Sequence, residues 1–158
     1  MSGTSYHRFI SKLTASFFFV GYLPLIPGTF GSLAGLAVYW FMSKNPLEYS
    51  FVTALITILG FWVSSEAEIV FGKKDDRRIV IDEVSGMLIS LAFLPFDLRI
   101  LVWGFLIFRL LDTLKPYPAG ILQKLKGGSG VMMDDIVAGL YTNIVLQLVL
   151  RLAAFKTS

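Results

Sequence analysis

The chain has 158 residues, a length that suits one domain. Its residues are 55% hydrophobic and only 16% charged, with a mean hydropathy of +0.70, whereas about a quarter of residues are charged in ordinary soluble domains; this composition is that of a small integral membrane protein. A net charge of +3 with no basic run interleaved with aromatics argues against nucleic-acid binding and suits anionic lipid head groups, and the absence of cysteine excludes disulfides, thiolate metal sites and cysteine nucleophiles.

Residues 1–12, which include Arg8 and Lys12, read as a retained, mobile tail on a single domain over 1–158. No residue from Leu13 to Ser43 is charged, yet Pro24, Pro27, Gly28 and Gly31 divide this stretch. It reads as an apolar leader at 13–20, an irregular turn at 21–31 and a helix over 32–42, for which Ser32 suits the N-cap. Lys44-Asn45-Pro46 forms a turn, and the uncharged run 49–65 lies at the lower limit for crossing a bilayer. The charged segment 66–83 holds Lys73, Lys74, Arg77 and Arg78, with Gly72 marking the end of the preceding helix. The next apolar run, 84–96, is too short to span alone, so it extends back through Asp82-Glu83 or is buried by its neighbours. A helix over 100–114 follows the turn 97–99 and stops near Lys115, because Pro116 and Pro118 cannot continue it. A short interfacial helix at 121–126, a glycine-rich loop at 127–130 and a last helix over 134–154 complete the chain. The expected fold is all-α: a small multi-helix integral membrane bundle of four to five apolar helices, with an irregular Pro/Gly turn near the N-terminus.

Basic residues orient such a bundle, because cytoplasmic loops are enriched in them. Arg8 and Lys12 place the N-terminus inside, and the loops 66–83 and 115–133 lie inside for the same reason. The loops 44–48 and 97–99 then lie outside; Arg151 and Lys156, which would face outside, are the features that oppose the scheme. The polar residues at 28–32, 82–83, 109–115 and 134–135 all fall on the cytoplasmic side, although no acid was used to draw it.

Two segments repeat a theme. Asp82-Glu83 and Asp134-Asp135 each precede an apolar run, with Gly86 and Gly139 four residues after Asp82 and Asp135. A carboxylate carried to the bilayer centre costs about 2.5–3.5 kcal/mol, so each acid needs a reason to be there. One reason is the helix dipole, worth about 0.3–1 kcal/mol in a first turn. Another is a bound cation: oxygen-only ligands suit magnesium, and His7 alone does not make a zinc site. Gly86 and Gly139 allow close helix packing under either reading. In the Arg109–Lys115 stretch, Asp112 can touch both cations at i±3, as an ion pair at a helix end or as a further metal carboxylate flanked by phosphate-binding cations. Gly28, Thr29, Gly31 and Ser32 form either an ordinary Pro/Gly turn or a turn that presents amides and hydroxyls to phosphate. The charge run 73–78 reads as a solvated, head-group-facing loop, and Met132, Met133, Trp40, Trp62 and Trp103 as packing or interface residues.

Four segments, 27–32, 81–86, 108–118 and 128–139, occur in an order that resembles the phosphatidylglycerophosphatase A family over about residues 13–150. The resemblance implies a magnesium-dependent phosphatase of the bacterial inner membrane, multi-pass, with its active site facing the cytoplasm. Such an enzyme removes the terminal phosphate of phosphatidylglycerophosphate to give phosphatidylglycerol. It implies catalytic and metal roles for Asp82, Glu83, Asp112, Asp134 and Asp135 without saying which of them touch the ion, and phosphate binding by Gly28, Thr29, Gly31, Ser32, Arg109 and Lys115. Glu83 is the expected direct ligand, with Asp82 either a second ligand or the cap of its helix. Ser85, Phe30 and Tyr117 depart from residues common in the family, and none removes a polar group from a motif. Exclusion agrees with the resemblance: the single histidine rules out two-histidine lipid phosphatases, and no Asp-x-Asp-x-Thr/Val pattern is present. The expected chemistry is attack by water activated at the cation, with one acid as base and an aspartate nucleophile as the competing route. A transporter, with charges at mid-span, and a structural membrane subunit, tolerant of Asp82→Asn, are the alternatives from other classes. Oligomeric state has no signature in the sequence.

Overall fold

The computed structural model describes residues 5–42 and 44–157. Among them there are seven α-helices, one 3₁₀ turn and no strand, so the fold is all-α as expected. The helices are α1 (Ser5–Ala15), α2 (Pro27–Met42), α3 (Pro46–Phe71), α4 (Ile81–Leu91), α5 (Leu98–Leu114), α6 (Ala119–Leu122) and α7 (Gly128–Thr157), with the 3₁₀ turn at Val20–Tyr22 between α1 and α2. Helix α1 takes in residues 5–12 of the segment assigned to a tail; residues 1–4 lie outside the described residues.

Several helix ends follow local rules. Pro46 opens α3, where its missing amide costs nothing, and Asn45 Oδ1 accepts from the amides of Leu47 and Glu48 at 3.1 and 3.4 Å. Gly72, at φ 68°, closes the same helix and donates its amide to Glu68 O. Asp97 caps α5 by accepting from Arg99 N at 2.7 Å, and Lys115 ends it in a left-handed conformation just before Pro116.

Two helix starts differ from the expectation. Helix α2 begins at Pro27, so Ser32 is not its N-cap: Ser32 is buried in the second turn and its Oγ donates to Gly28 O at 3.0 Å. Proline at the first helical position sets the start, and the downstream serine simply bonds back along the helix. Helix α7 begins at Gly128 and absorbs most of the glycine-rich segment read as a loop. Gly128 lies against the backbone of Phe61, where a Cβ would not fit, and donates its amide to Ser65 Oγ at 2.6 Å. Close packing on α3 offsets the poor helix propensity of glycine there. The short helix expected at 121–126 is displaced to Ala119–Leu122.

Helix α4 is the centre of the molecule. It extends back through Asp82 and Glu83 and is also buried by α2, α3, α5 and α7, which resolves both halves of the expectation for its short apolar run. At 11 residues it is about 16 Å long, well short of an approximately 30 Å hydrocarbon core. Its polar groups are answered by neighbours: Thr57 Oγ1 and Ser85 Oγ share a 2.7 Å hydrogen bond, and Tyr49 donates its hydroxyl to Leu88 O. Asn143 Nδ2 donates to Ser90 O at 3.1 Å and Ala92 O at 2.8 Å, satisfying carbonyls at the end of the helix. Only α3 and α7, among the described residues, are long and apolar enough to cross a membrane, over Pro46–Phe71 and Gly128–Ala154; both leave most of their residues unburied.

Chain direction decides what this packing brings together. Helices α2, α4 and α7 start at the end of the bundle where α5 stops. The loop between α3 and α4 lies at that end, fixed by the Asp76–Arg78 ion pair at 2.7 Å and by stacking of the Arg78 guanidinium 4.0 Å from the Phe71 ring. The hydrogen bond from Arg78 holds the Asp76 carboxyl below its usual range. Lys74 Nζ donates to Gln123 O at 3.2 Å and Lys124 O at 3.3 Å, tying this loop to the segment after α6.

Candidate metal and phosphate site

The site is set by how closely α4 and α7 approach. A Cβ on Gly86 would lie 2.6 Å from the Phe108 ring and 2.8 Å from Asp135 O, and a Cβ on Gly139 would meet Gly86 O. The two glycines therefore have the packing role expected of them. The seam they form places the first turn of α4 beside Asp135.

One carboxylate oxygen from each of Asp82, Glu83 and Asp135 lies within 4.8 Å of the others. Asp82 and Asp135 are 7% and 3% exposed, and Asp82 Oδ1, Glu83 Oε2 and Asp135 Oδ2 are buried without a hydrogen-bond partner. Val80 is the N-cap of α4, and no side chain makes a capping hydrogen bond there. Hydrogen-bonded capping therefore does not account for the acidic pair. Buried acceptors left unpaired are costly, and three converging carboxylates repel one another unless they take up a proton or a cation joins them. The donor set, all oxygen and all converging, fits a hard divalent cation.

Asp112 and Asp134 have other partners. Arg109 Nη1 donates to Asp112 Oδ2 at 2.6 Å, and both residues are mostly buried. Lys115 pairs with Asp134 rather than with Asp112. Lys115 ends α5 in left-handed backbone, which takes its side chain off the helical face that i±3 spacing assumes. Asp112 remains an electrostatic neighbour of both Glu83 and Asp135, and Asp134 Oδ1 is a further buried acceptor without a partner.

The N-terminus of α2 closes one side. A Cβ on Gly28 would collide with Glu83 Oε1 and lie 3.3 Å from Arg109 Nη1, so this backbone rests directly on both side chains. Gly31 stands against Val80 and Glu83 Cβ in the same way. The Thr29 amide donates to Ile26 O at 3.0 Å, and the Ser32 hydroxyl is engaged within its own helix. These glycines thus serve close approach to Glu83 and Arg109. Sequence reasoning missed the Lys115–Asp134 pair and the support of Ser85 by Thr57, since Thr57 sits in an apolar run with no spacing signal to join it to α4.

A family model described as phosphatidylglycerophosphatase A matches residues 13–150, which take in the whole of this cluster. The chain belongs to the phosphatidylglycerophosphatase A family. Membership makes it a phosphatase. A phosphatidylglycerophosphatase A of Escherichia coli (strain K12) is 38% identical over 132 residues, covering 82% of this chain and 77% of that protein. Another, from Haemophilus influenzae, is 36% identical over 124 residues, 76% of each chain. A Bacteroides thetaiotaomicron relative that carries a provisional phosphatidylinositol-3-phosphatase name is 33% identical over 147 residues, covering 87% of this chain and 92% of that one. No solved structure matches the chain. The phosphatidylglycerophosphatase A match includes Ser85, one of the departures from common family residues, which here has Thr57 as its hydrogen-bond partner.

Proposed function

We propose that the chain hydrolyses the terminal phosphate of phosphatidylglycerophosphate, giving phosphatidylglycerol and inorganic phosphate, with Mg²⁺ as cofactor. The observation that carries the reading is the buried cluster of Asp82, Glu83 and Asp135, with its unpartnered oxygens, in a chain of this family. Held by these three residues, a magnesium ion would polarise the phosphate and lower the pKa of a water. A carboxylate of the cluster accepts the proton of the attacking water. Arg109 and Lys115, oriented by Asp112 and Asp134, neutralise the charge that develops on the phosphate oxygens. Gly28 and Gly31 bring the start of α2 against Glu83 and Arg109, with Thr29 and Ser32 on the same first turns. All charged groups of this set lie at one end of the bundle, which disfavours a transporter.

In this reading the protein is a multi-pass protein of the bacterial inner membrane, crossed by α3 and α7 and completed by the shorter helices. Lys73, Lys74, Arg77, Arg78, Lys124 and Lys126 lie at the site end, and this basic excess supports a site that faces the cytoplasm. A second reading, a phosphatidylinositol phosphate as substrate, draws on the Bacteroides relative, 92% of which this chain covers.

The test is phosphate release by purified protein from each lipid, with and without magnesium. Metal-dependent release from phosphatidylglycerophosphate is expected, with kcat lowered on the order of 10²–10³-fold in Glu83→Gln and Asp135→Asn. Release confined to the inositol lipid favours the second reading, and no metal-dependent release from either overturns both. With a substrate whose phosphate is made chiral by oxygen isotopes, inversion at phosphorus is expected for direct attack by water; net retention would indicate an aspartate nucleophile.

A further inference from the structure

Helices α2 and α5 both pack on α4 and touch each other, and along their outer faces runs an open groove of about 440 Å³. Its walls are apolar: Leu33, Ala37 and Phe41 on α2 face Leu98, Val102 and Leu106 on α5. Each set repeats every four residues, so each is a single stripe along its helix. Five of these six residues are large apolar side chains left well exposed, and Ala37, the small one, lies half-way along the α2 wall.

The two stripes run into the polar site. On α5 the turn after Leu106 carries Arg109 and then Asp112; on α2 the turn before Leu33 carries Thr29 and Gly28. At that end the two helices meet, because Gly28 rests on Glu83 and beside the Arg109 guanidinium. The cleft is thus polar and charged at one end, where Arg109 is the basic group next to it, and apolar for the rest of its length, the shape of an amphiphile. From Leu33 to Phe41, and from Leu106 to Leu98, each wall rises about 12 Å, close to the roughly 15 Å hydrocarbon depth of one leaflet. Trp40 and Phe41 line the end remote from the site.

We propose that this groove is an acyl-chain subsite: it seats one chain of the same lipid whose phosphate is held at the cluster, and so makes the enzyme selective for long-chain substrates. The proposal rests on the lipid phosphatase reading above. An unrelated bilayer lipid lying in the groove is the competing occupant, and the two differ in kinetics. A substrate chain in the groove makes turnover of the long-chain lipid alone sensitive to filling the groove, whereas with an unrelated lipid there the same substitutions affect long- and short-chain substrates alike.

The experiment compares kcat and KM for dioleoyl and dibutanoyl phosphatidylglycerophosphate in the wild type, Ala37→Trp and Val102→Trp. Both substitutions fill the groove from exposed positions on opposite walls, away from the polar site. The wild type is expected to favour the dioleoyl lipid. Each variant should raise KM for that lipid tenfold or more and leave dibutanoyl turnover unchanged, which also reports intact folding and chemistry. Equal effects on both lipids, or no effect on either, would overturn the subsite while leaving the phosphatase reading in place. Failure of the wild type to release phosphate from either lipid would instead overturn phosphatidylglycerophosphate as the substrate, and the subsite with it.

Discussion

Glu83 shows at the scale of one residue how this chain makes a half-buried acid tolerable. Gly28 and Gly31 press on it from α2, Asp82 and Asp135 stand beside it, and the Arg109 guanidinium lies on the same side of the site. The absence of a side chain at Gly28 is therefore a matter of fit around Glu83 and not of backbone freedom. This separates activity from stability. Alanine is favoured over glycine by about 1 kcal/mol inside a helix, so on propensity alone Gly28→Ala would leave thermal stability unchanged or raised. Yet its Cβ displaces the Glu83 carboxylate and crowds Arg109, and misplacing a reacting group lowers kcat on the order of 10–100-fold. Thermal unfolding and phosphate release on one preparation check both halves. A variant with full activity would show that Glu83 needs no fixed position.

At the scale of elements, the seam between α4 and α7 controls the distance between the acidic pairs. Phe108 of α5 fills the space that Gly86 leaves, and Asp135 O lies just behind it. Gly86→Ala must move a wholly buried ring or a helix backbone, and overpacking of this kind costs about 1–3 kcal/mol. A lower unfolding midpoint in detergent is expected and, with magnesium as the proposed cofactor, a higher magnesium concentration for half-maximal phosphate release as Asp135 is pushed away from Glu83. An unchanged midpoint would mean that the two helices can separate freely. The sequence made this seam legible, because a glycine recurs four residues after an acid in both helices. The starts of α2 and α7 were less legible, for a physical reason. Ser32 is a good cap by local rules, but Pro27 starts the helix earlier; the glycines at 128 and 130 look like a loop until contact with α3 stabilises them as helix.

For the whole molecule, alternating helix directions gather the starts of α2, α4 and α7 and the end of α5 at one pole, along with most of the basic loop residues. The topology this implies is directly measurable, because the chain has no cysteine to remove. Lys126→Cys, at the site pole, should react with a membrane-impermeant thiol reagent only in inverted vesicles. Arg99→Cys, exposed at the opposite pole, should react only in right-side-out spheroplasts. Labelling of both from one side would contradict the orientation read from the basic residues.

The sequence by itself determined the all-helical class, the ends of α3 and α5, the four motifs and the family, because caps, proline breaks and acid–glycine spacing act over a few residues along the chain. Tertiary structure alone decided which acids converge. It sent Lys115 to Asp134 instead of Asp112, left one unpaired oxygen on each of Asp82, Glu83 and Asp135 in a single cluster, and opened the groove between α2 and α5. Those outcomes depend on how separate helices pack around α4, at distances that no local pattern encodes.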